Sequence, residues 1–169
     1  MADIVEVSTN LGSFVITLET AKAPKSVANF LAYVDAKHYD GTVFHRIIPT
    51  FMIQGGGFDK TLEKKSTKPA IENEADNGLK NVRGTVAMAR TSDPHSATAQ
   101  FFVNVADNTS LDHQAKVGPG WGYAVFGKVT EGMDVVDKIK AVKTGPSANG
   151  QFAKDCPLDP VVINSIKRR

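Results

Sequence analysis

Apolar residues recur at every second position along most of this chain and at helical spacing only twice, and that distribution constrains the fold more than any other feature. Phe14, Ile16 and Leu18 share one face of a strand, with Thr17 and Glu19 on the other. A second β-rich run covers 4–8, and Asn10-Leu11-Gly12-Ser13 between the two carries the turn residues of a hairpin. Period two returns at Val43 to Ile48 and at Met52-Ile53-Gln54 after Pro49, where Gly55-Gly56-Gly57 is expected to stop the unit. The stretch 58–81 reads as ordered loop, followed by shorter strands at 85–89, 101–104, 123–129 and 161–166. Val27, Phe30, Leu31 and Val34 form one helical stripe behind Pro24, which suits a first helical position, and Met133, Val135, Val136 and Ile139 form a second. Two helices cannot cover both faces of a large parallel sheet. The pattern therefore predicts a mostly β chain, an antiparallel β-barrel of roughly eight strands capped by two α-helices.

No linker or internal repeat divides the 169 residues, so a single domain over 1–169 is expected, with 167–169 as a short basic tail and 145–160 as a surface connection. Lys and Arg number 20 against 18 Asp and Glu, a net charge of +2 with the signs interspersed. That balance speaks against nucleic-acid binding through a bulk basic field. The one cysteine, Cys156, excludes an intrachain disulfide and any multi-Cys metal centre and reads as an inert loop thiol. No membrane-length apolar run and no basic-then-apolar leader is visible, so a cytoplasmic setting without membrane partners is expected. No long apolar stripe is left over for an obligate interface, which makes a monomer the expectation.

The strand pattern puts Arg46 on one face with Phe44 and Ile48, opposite Val43, His45 and Ile47. Two readings stand: a snorkelling edge-strand arginine, or a guanidinium held in an apolar groove as a fixed donor fork. Met52 and Gln54 share a face two residues apart, and Gln100 and Phe102 repeat the arrangement. Each pair alone fits ordinary core with a satisfied amide. Two pairs beside a groove-facing arginine suggest a shallow apolar site with a few polar anchors, as peptide sites have. Gly55-Gly56-Gly57 lacks a following Gly-Lys-Ser/Thr and opens no helix, so it is not a phosphate loop; a close backbone approach is the better reading. His38, His45, His95 and His113 lack metal-ligand spacing, and no Gly-x-Ser-x-Gly elbow exists. No metal and no cofactor is expected.

The run Phe44-His45-Arg46-Ile47-Ile48-Pro49-Thr50-Phe51-Met52-Ile53-Gln54-Gly55-Gly56 is similar to the signature of cyclophilins, the cyclosporin-binding family of peptidyl-prolyl cis/trans isomerases. Two further blocks, around Gln100-Phe101-Phe102 and Val125-Phe126-Gly127, match in the same order, and Trp121-Gly122-Tyr123 and Asn73-Glu74-Ala75 make it look most like the compact bacterial members. The resemblance implies a cyclophilin-like barrel that accelerates rotation about X–Pro bonds in proline-containing peptides and folding proteins. It implies Arg46 as the catalytic arginine, steadied by Gln54. Phe51, Met52, Phe102 and Leu111 would form the proline pocket, Tyr123 an aromatic wall, Gln100 a peptide anchor, and Ala89 and Arg90 would offer backbone groups. Arg90 stands where many relatives carry Asn, and Tyr123 replaces a pocket histidine of animal members. Ser110 stands where those members carry a tryptophan that contacts cyclosporin, so weak cyclosporin binding is expected. The competing class is a non-catalytic proline-peptide-binding chaperone module with the same groove; Arg46 with Gln54 is the feature that favours the enzyme.

Overall fold

A computed structural model describes residues 3–169. The first period-two runs pair as a hairpin of β1 (Asp3–Thr9) and β2 (Gly12–Leu18), closed by Asn10-Leu11 with Thr9 opposite Gly12. The Thr9 hydroxyl donates to the Gly12 carbonyl at 2.7 Å and accepts from the Leu11 N–H at 3.1 Å, a side-chain-stabilised turn. The other strands are β3 (Thr42–Ile48), β4 (Met52–Asp59), β5 (Thr85–Met88), β6 (Phe101–Asn104), β7 (Val125–Glu131), β8 (Thr144–Gly145), β9 (Cys156–Pro157) and β10 (Ile163–Arg168). Eight of them form one antiparallel sheet in the order β10-β1-β2-β7-β5-β6-β4-β3. Its ends nearly meet: Val43 bridges Val162, and the Phe44 N–H donates to the Val161 carbonyl at 3.0 Å. The result is the expected mostly β, eight-stranded barrel with two helices.

Helix α1 (Pro24–Asp35) buries Val27, Phe30, Leu31 and Val34, the stripe read from the sequence, and α2 (Met133–Lys140) buries Val135, Val136 and Ile139. The Ala23 that precedes α1 has no side chain to cap with. Glu74, from the long loop, supplies the cap instead: Oε1 accepts the Ser26 N–H at 2.7 Å and Oε2 the Lys25 N–H at 3.2 Å. A carboxylate at a helix N-terminus satisfies free N–H groups and complements the helix dipole. The main core joins both helices to the inward strand faces, with Phe30, Tyr39, Phe101 and Phe126 packed ring to ring at its centre.

Two expectations need correction, and a third, the surface connection over 145–160, needs only a detail. The glycine triplet does not end its unit, because β4 runs through it to Asp59. A Cβ on Gly55 would come 2.7 Å from the Val43 carbonyl, and one on Gly56, at φ +93°, 2.8 Å from the Tyr39 ring. The glycines admit close backbone approach inside a strand rather than a turn after it. Residues 167–169 are not a free tail: β10 reaches Arg168, whose guanidinium pairs with Asp35 at 2.6 Å, and Arg169 pairs with Glu6 at 2.9 Å. Within 145–160, Cys156 is buried in the β8–β9 ladder, where burial pushes its thiol pKa up.

Candidate active site

The strands β4, β5 and β6 are apolar on both faces. Ile53, Val86 and Val103 enter the main core, while Met52, Ala87 and Phe102 point the other way and form a second cluster with Ala89 and Val125. Ile48, Phe51, Leu79, Leu111 and Tyr123 pack at its margin without closing it. What remains is a cavity of about 240 Å³ lined by Arg46, Phe51, Met52, Gln54, Ala89, Arg90, Phe102, Leu111 and Tyr123. Every expected site residue except Gln100 lines it. Gln100 lines an adjoining cavity of about 230 Å³ that shares Gln54, Ala89 and Arg90.

Arg46 reaches this wall through a backbone irregularity. Phe44 pairs with Gly55 and Arg46 with Gln54, so two residues of β3 advance against one of β4 and His45 is the extra residue of a β-bulge. The bulge reverses the alternation. Phe44 and Ile47, both fully buried, enter the core, while Arg46 and Ile48 face the second cluster. The expected common face of Phe44 and Arg46 is therefore corrected. Displaced outward, His45 is 5% exposed, with its ring 4.6 Å from Phe58 and 5.3 Å from Phe152. Burial, with the Arg46 charge nearby, lowers its pKa to about 4.

The polar groups of the wall form a relay. Arg46 Nη1 donates to Gln54 Oε1 at 3.4 Å, and Gln54 Nε2 donates to Gln100 Oε1 at 3.0 Å. Gly57 makes room for the second amide, since a Cβ there would lie 2.5 Å from the Gln100 side chain. The Ala89 N–H donates to the Gln100 carbonyl at 3.0 Å. Arg90 directs Nε and Nη2 to the Gly122 carbonyl at 3.1 and 3.0 Å and lies 4.4 Å over the Tyr123 ring. Tyr123 in turn meets Phe102 edge-on, with centroids 5.7 Å apart. Arg90 thus braces the aromatic wall with its side chain, a part beyond the backbone contact expected of it. Ser110 is exposed on the short turn Thr109–Leu111 at the rim.

Behind the cavity lies a buried network the sequence reading missed. Asn104 is fully buried; its Nδ2 donates to Asn81 Oδ1 and Thr85 Oγ1, each at 3.0 Å, and its Oδ1 accepts from Asn108 Nδ2 at 2.8 Å. Asn108 Nδ2 also donates to the Phe51 carbonyl at 2.8 Å, and Asn81 Nδ2 to the carbonyls of Leu111 and Tyr123, each at 3.2 Å. The three amides therefore hold three segments that carry the cavity wall. Asparagines in turn-rich sequence read as loop formers, and only the pairing of distant segments exposes their joint role. Among the described residues, no three His, Cys, Asp or Glu side chains cluster to hold a metal, and no helix is long and apolar enough to cross a membrane.

Comparison with known proteins places this geometry. The family described as Cyclophilin type peptidyl-prolyl cis-trans isomerase/CLD matches residues 4–168. Peptidyl-prolyl cis-trans isomerase cyp18 of Streptomyces antibioticus is 63% identical over 163 residues, 96% of this chain and 96% of that protein. Peptidyl-prolyl cis-trans isomerase B of Escherichia coli K12 is 54% identical over 163 residues, 96% of this chain and 98% of that protein. A cyclophilin-type isomerase of Cryptosporidium parvum, crystallised in the presence of the dipeptide Ala-Pro, superposes with a TM-score of 0.80 at 27% identity, covering 98% of each chain. Strand order, two-helix capping and a family match over nearly the whole sequence agree: this chain belongs to the cyclophilin-type peptidyl-prolyl cis-trans isomerases.

Proposed function

We propose that the cavity over Met52 and Phe102 takes the proline ring of a peptide substrate and that Arg46 catalyses rotation of the preceding amide bond. The observation that carries this reading is the convergence of a carboxylate-free guanidinium and an apolar pocket on one wall, with Arg46, Gln54, Phe51, Met52, Phe102 and Leu111 lining a single cavity. An amide rotates slowly because twisting it out of conjugation costs about 18–20 kcal/mol. No bond to carbon is made or broken, so the reaction needs no nucleophile and no metal. In the twisted state the prolyl nitrogen regains its lone pair and becomes a better hydrogen-bond acceptor. A donor aimed at that nitrogen stabilises the transition state more than the planar ground state, and only such a difference accelerates the step. The guanidinium fork suits this role, because it is permanently charged and Gln54, braced by Gln100, fixes its orientation. The apolar pocket holds the ring still and sheds water while the acyl side turns.

On this reading the substrates are proline-containing peptides and folding chains, handled by one catalytic domain, and the solvent-facing Ser110 leaves cyclosporin without a large apolar contact. The test is relaxation of a cis-proline tetrapeptide with wild type and Arg46→Ala side by side. Loss of one preorganised donor lowers kcat/KM by about 10²–10³-fold, while peptide affinity measured by titration stays within a few-fold. Turnover of the variant within about two- or threefold of wild type would remove Arg46 from the mechanism.

A further inference from the structure

The charge of the groove is out of proportion to that of the chain. The whole protein carries +2, yet the two adjoining cavities are lined by Arg46, Arg90 and Lys64 and by no carboxylate. A third, open hollow of about 370 Å³ meets the second at Thr67 and adds Lys37, Lys65 and Lys68, again without a carboxylate. Several cations elsewhere are paired with carboxylates, as in Lys25–Glu72, Arg83–Asp137, Arg168–Asp35 and Arg169–Glu6, whereas among the described residues none of the six along this strip is in an ion pair. Arg46 is bonded to Gln54 alone, and Arg90 to the carbonyls of Gly122 and Thr91. Asp40, Asp59 and Glu63 flank the strip without lining it, and Asp59 Oδ1 already accepts from the Thr61 N–H, the Thr61 hydroxyl and the Glu63 N–H. The lysines are held by backbone: Lys64 bridges Phe58 of β4, the Lys65 N–H donates to the Gly57 carbonyl at 2.9 Å, and Lys65 Nζ donates to the His38 carbonyl.

We propose that this strip, running from Arg46 past Arg90 and Lys64 to Lys68, selects substrate chains that carry acidic side chains beside the isomerised proline. The inference rests on the reading of the groove as the proline-peptide site and names the class of substrate it favours. An extended peptide seated over Phe102 has to continue across Gln54 and Gln100 or away from them. A Glu or Asp on the first path meets cations that are in no ion pair, with Asp59 close enough to Lys65 to offset part of that one's field. Long-range attraction of this kind raises encounter rates and penalises the opposite charge. An acidic peptide fits better than nucleic acid, because the strip is continuous with an apolar, peptide-sized groove, the Tyr33 ring beneath Lys68 is buried, and in the groove Arg90 covers a face of the Tyr123 ring.

The experiment compares kcat/KM for an alanine-flanked proline peptide with versions carrying Glu or Lys at the two positions before or after the X–Pro pair. At low ionic strength one Glu series exceeds alanine by about two- to fivefold per residue, the Lys series falls below it, and both differences collapse in high salt. Lys64→Gln lowers the Glu-to-Lys ratio and Lys64→Glu lowers it further, and a ratio unchanged in both variants overturns the proposal. If the alanine peptide is not accelerated, the groove reading itself fails. If it is accelerated but Glu, Ala and Lys peptides are turned over alike on both sides of the proline, only this inference fails. Competition by an oligonucleotide as strong as by an oligoglutamate of equal charge would reassign the strip and overturn the proposal.

Discussion

Replacing Asn104 by Leu keeps the branched shape of the side chain and deletes its three hydrogen bonds, to Asn81, Thr85 and Asn108. The cost follows from what the partners lose. Thr85 still donates to the Val82 carbonyl at 2.7 Å and forfeits only an acceptor role. Asn108 keeps its bond to the Phe51 carbonyl at 2.8 Å but is left with one buried N–H unpaired, and Asn81 with a buried carbonyl oxygen unpaired. Each orphaned group costs about 1–3 kcal/mol, and burial of the leucine methyls returns part of this, for a net loss of about 2–4 kcal/mol. Urea denaturation reads it as a lower midpoint at unchanged slope. The same change loosens the Phe51, Leu111 and Tyr123 carbonyls, so KM for a proline peptide rises more than kcat falls. Ile53→Ala serves as the comparison, because it costs about 2–5 kcal/mol on the core face of β4 without touching the cavity. A loss below about 1 kcal/mol for Asn104→Leu, or an equal rise in KM for Ile53→Ala, would refute the claim that the amide network positions the pocket.

The buried His45 makes stability depend on pH. Its folded pKa of about 4 lies below the free value of 6.5, so between those values the unfolded chain binds a proton that the folded one does not. The contribution is whole above pH 6.5 and drains away as pH falls toward 4, by up to about 3 kcal/mol; denaturation midpoints across that window should flatten in His45→Phe, and an unchanged slope would count against it. The half-buried His38, also lowered chiefly by burial, leaves a smaller residue of the same sign. Gly57→Ala pushes first against the Gln100 side chain, a flexible neighbour, so stability changes little while kcat/KM falls by about two- to tenfold through a lost anchor. Unchanged kcat/KM with native stability would show that Gln100 does not steady Gln54.

Much of the architecture is written in local pattern. The alternation of Phe14, Ile16 and Leu18 and the stripe from Val27 to Val34 state which face of each element is buried, because side-chain direction is set by backbone period. The pairs Met52 with Gln54 and Gln100 with Phe102 were legible for the same reason, and the run from Phe44 to Gly56 carried enough resemblance to name the family. What local pattern could not state is anything that depends on the partner strand. Alternation alone put Arg46 beside Phe44; register across β3 and β4 inserts His45 as a bulge and turns Arg46 to the cavity. Three glycines read as a stop until the Tyr39 ring, the Val43 carbonyl and the Gln100 amide are set against them. Glu74 caps a helix 48 residues before it, and Asn81, Asn104 and Asn108 act together only because folding brings their loops to one place. Face and period are properties of a single segment and can be read from it; register, close approach and shared hydrogen bonds are properties of pairs of segments, and only the folded chain decides them.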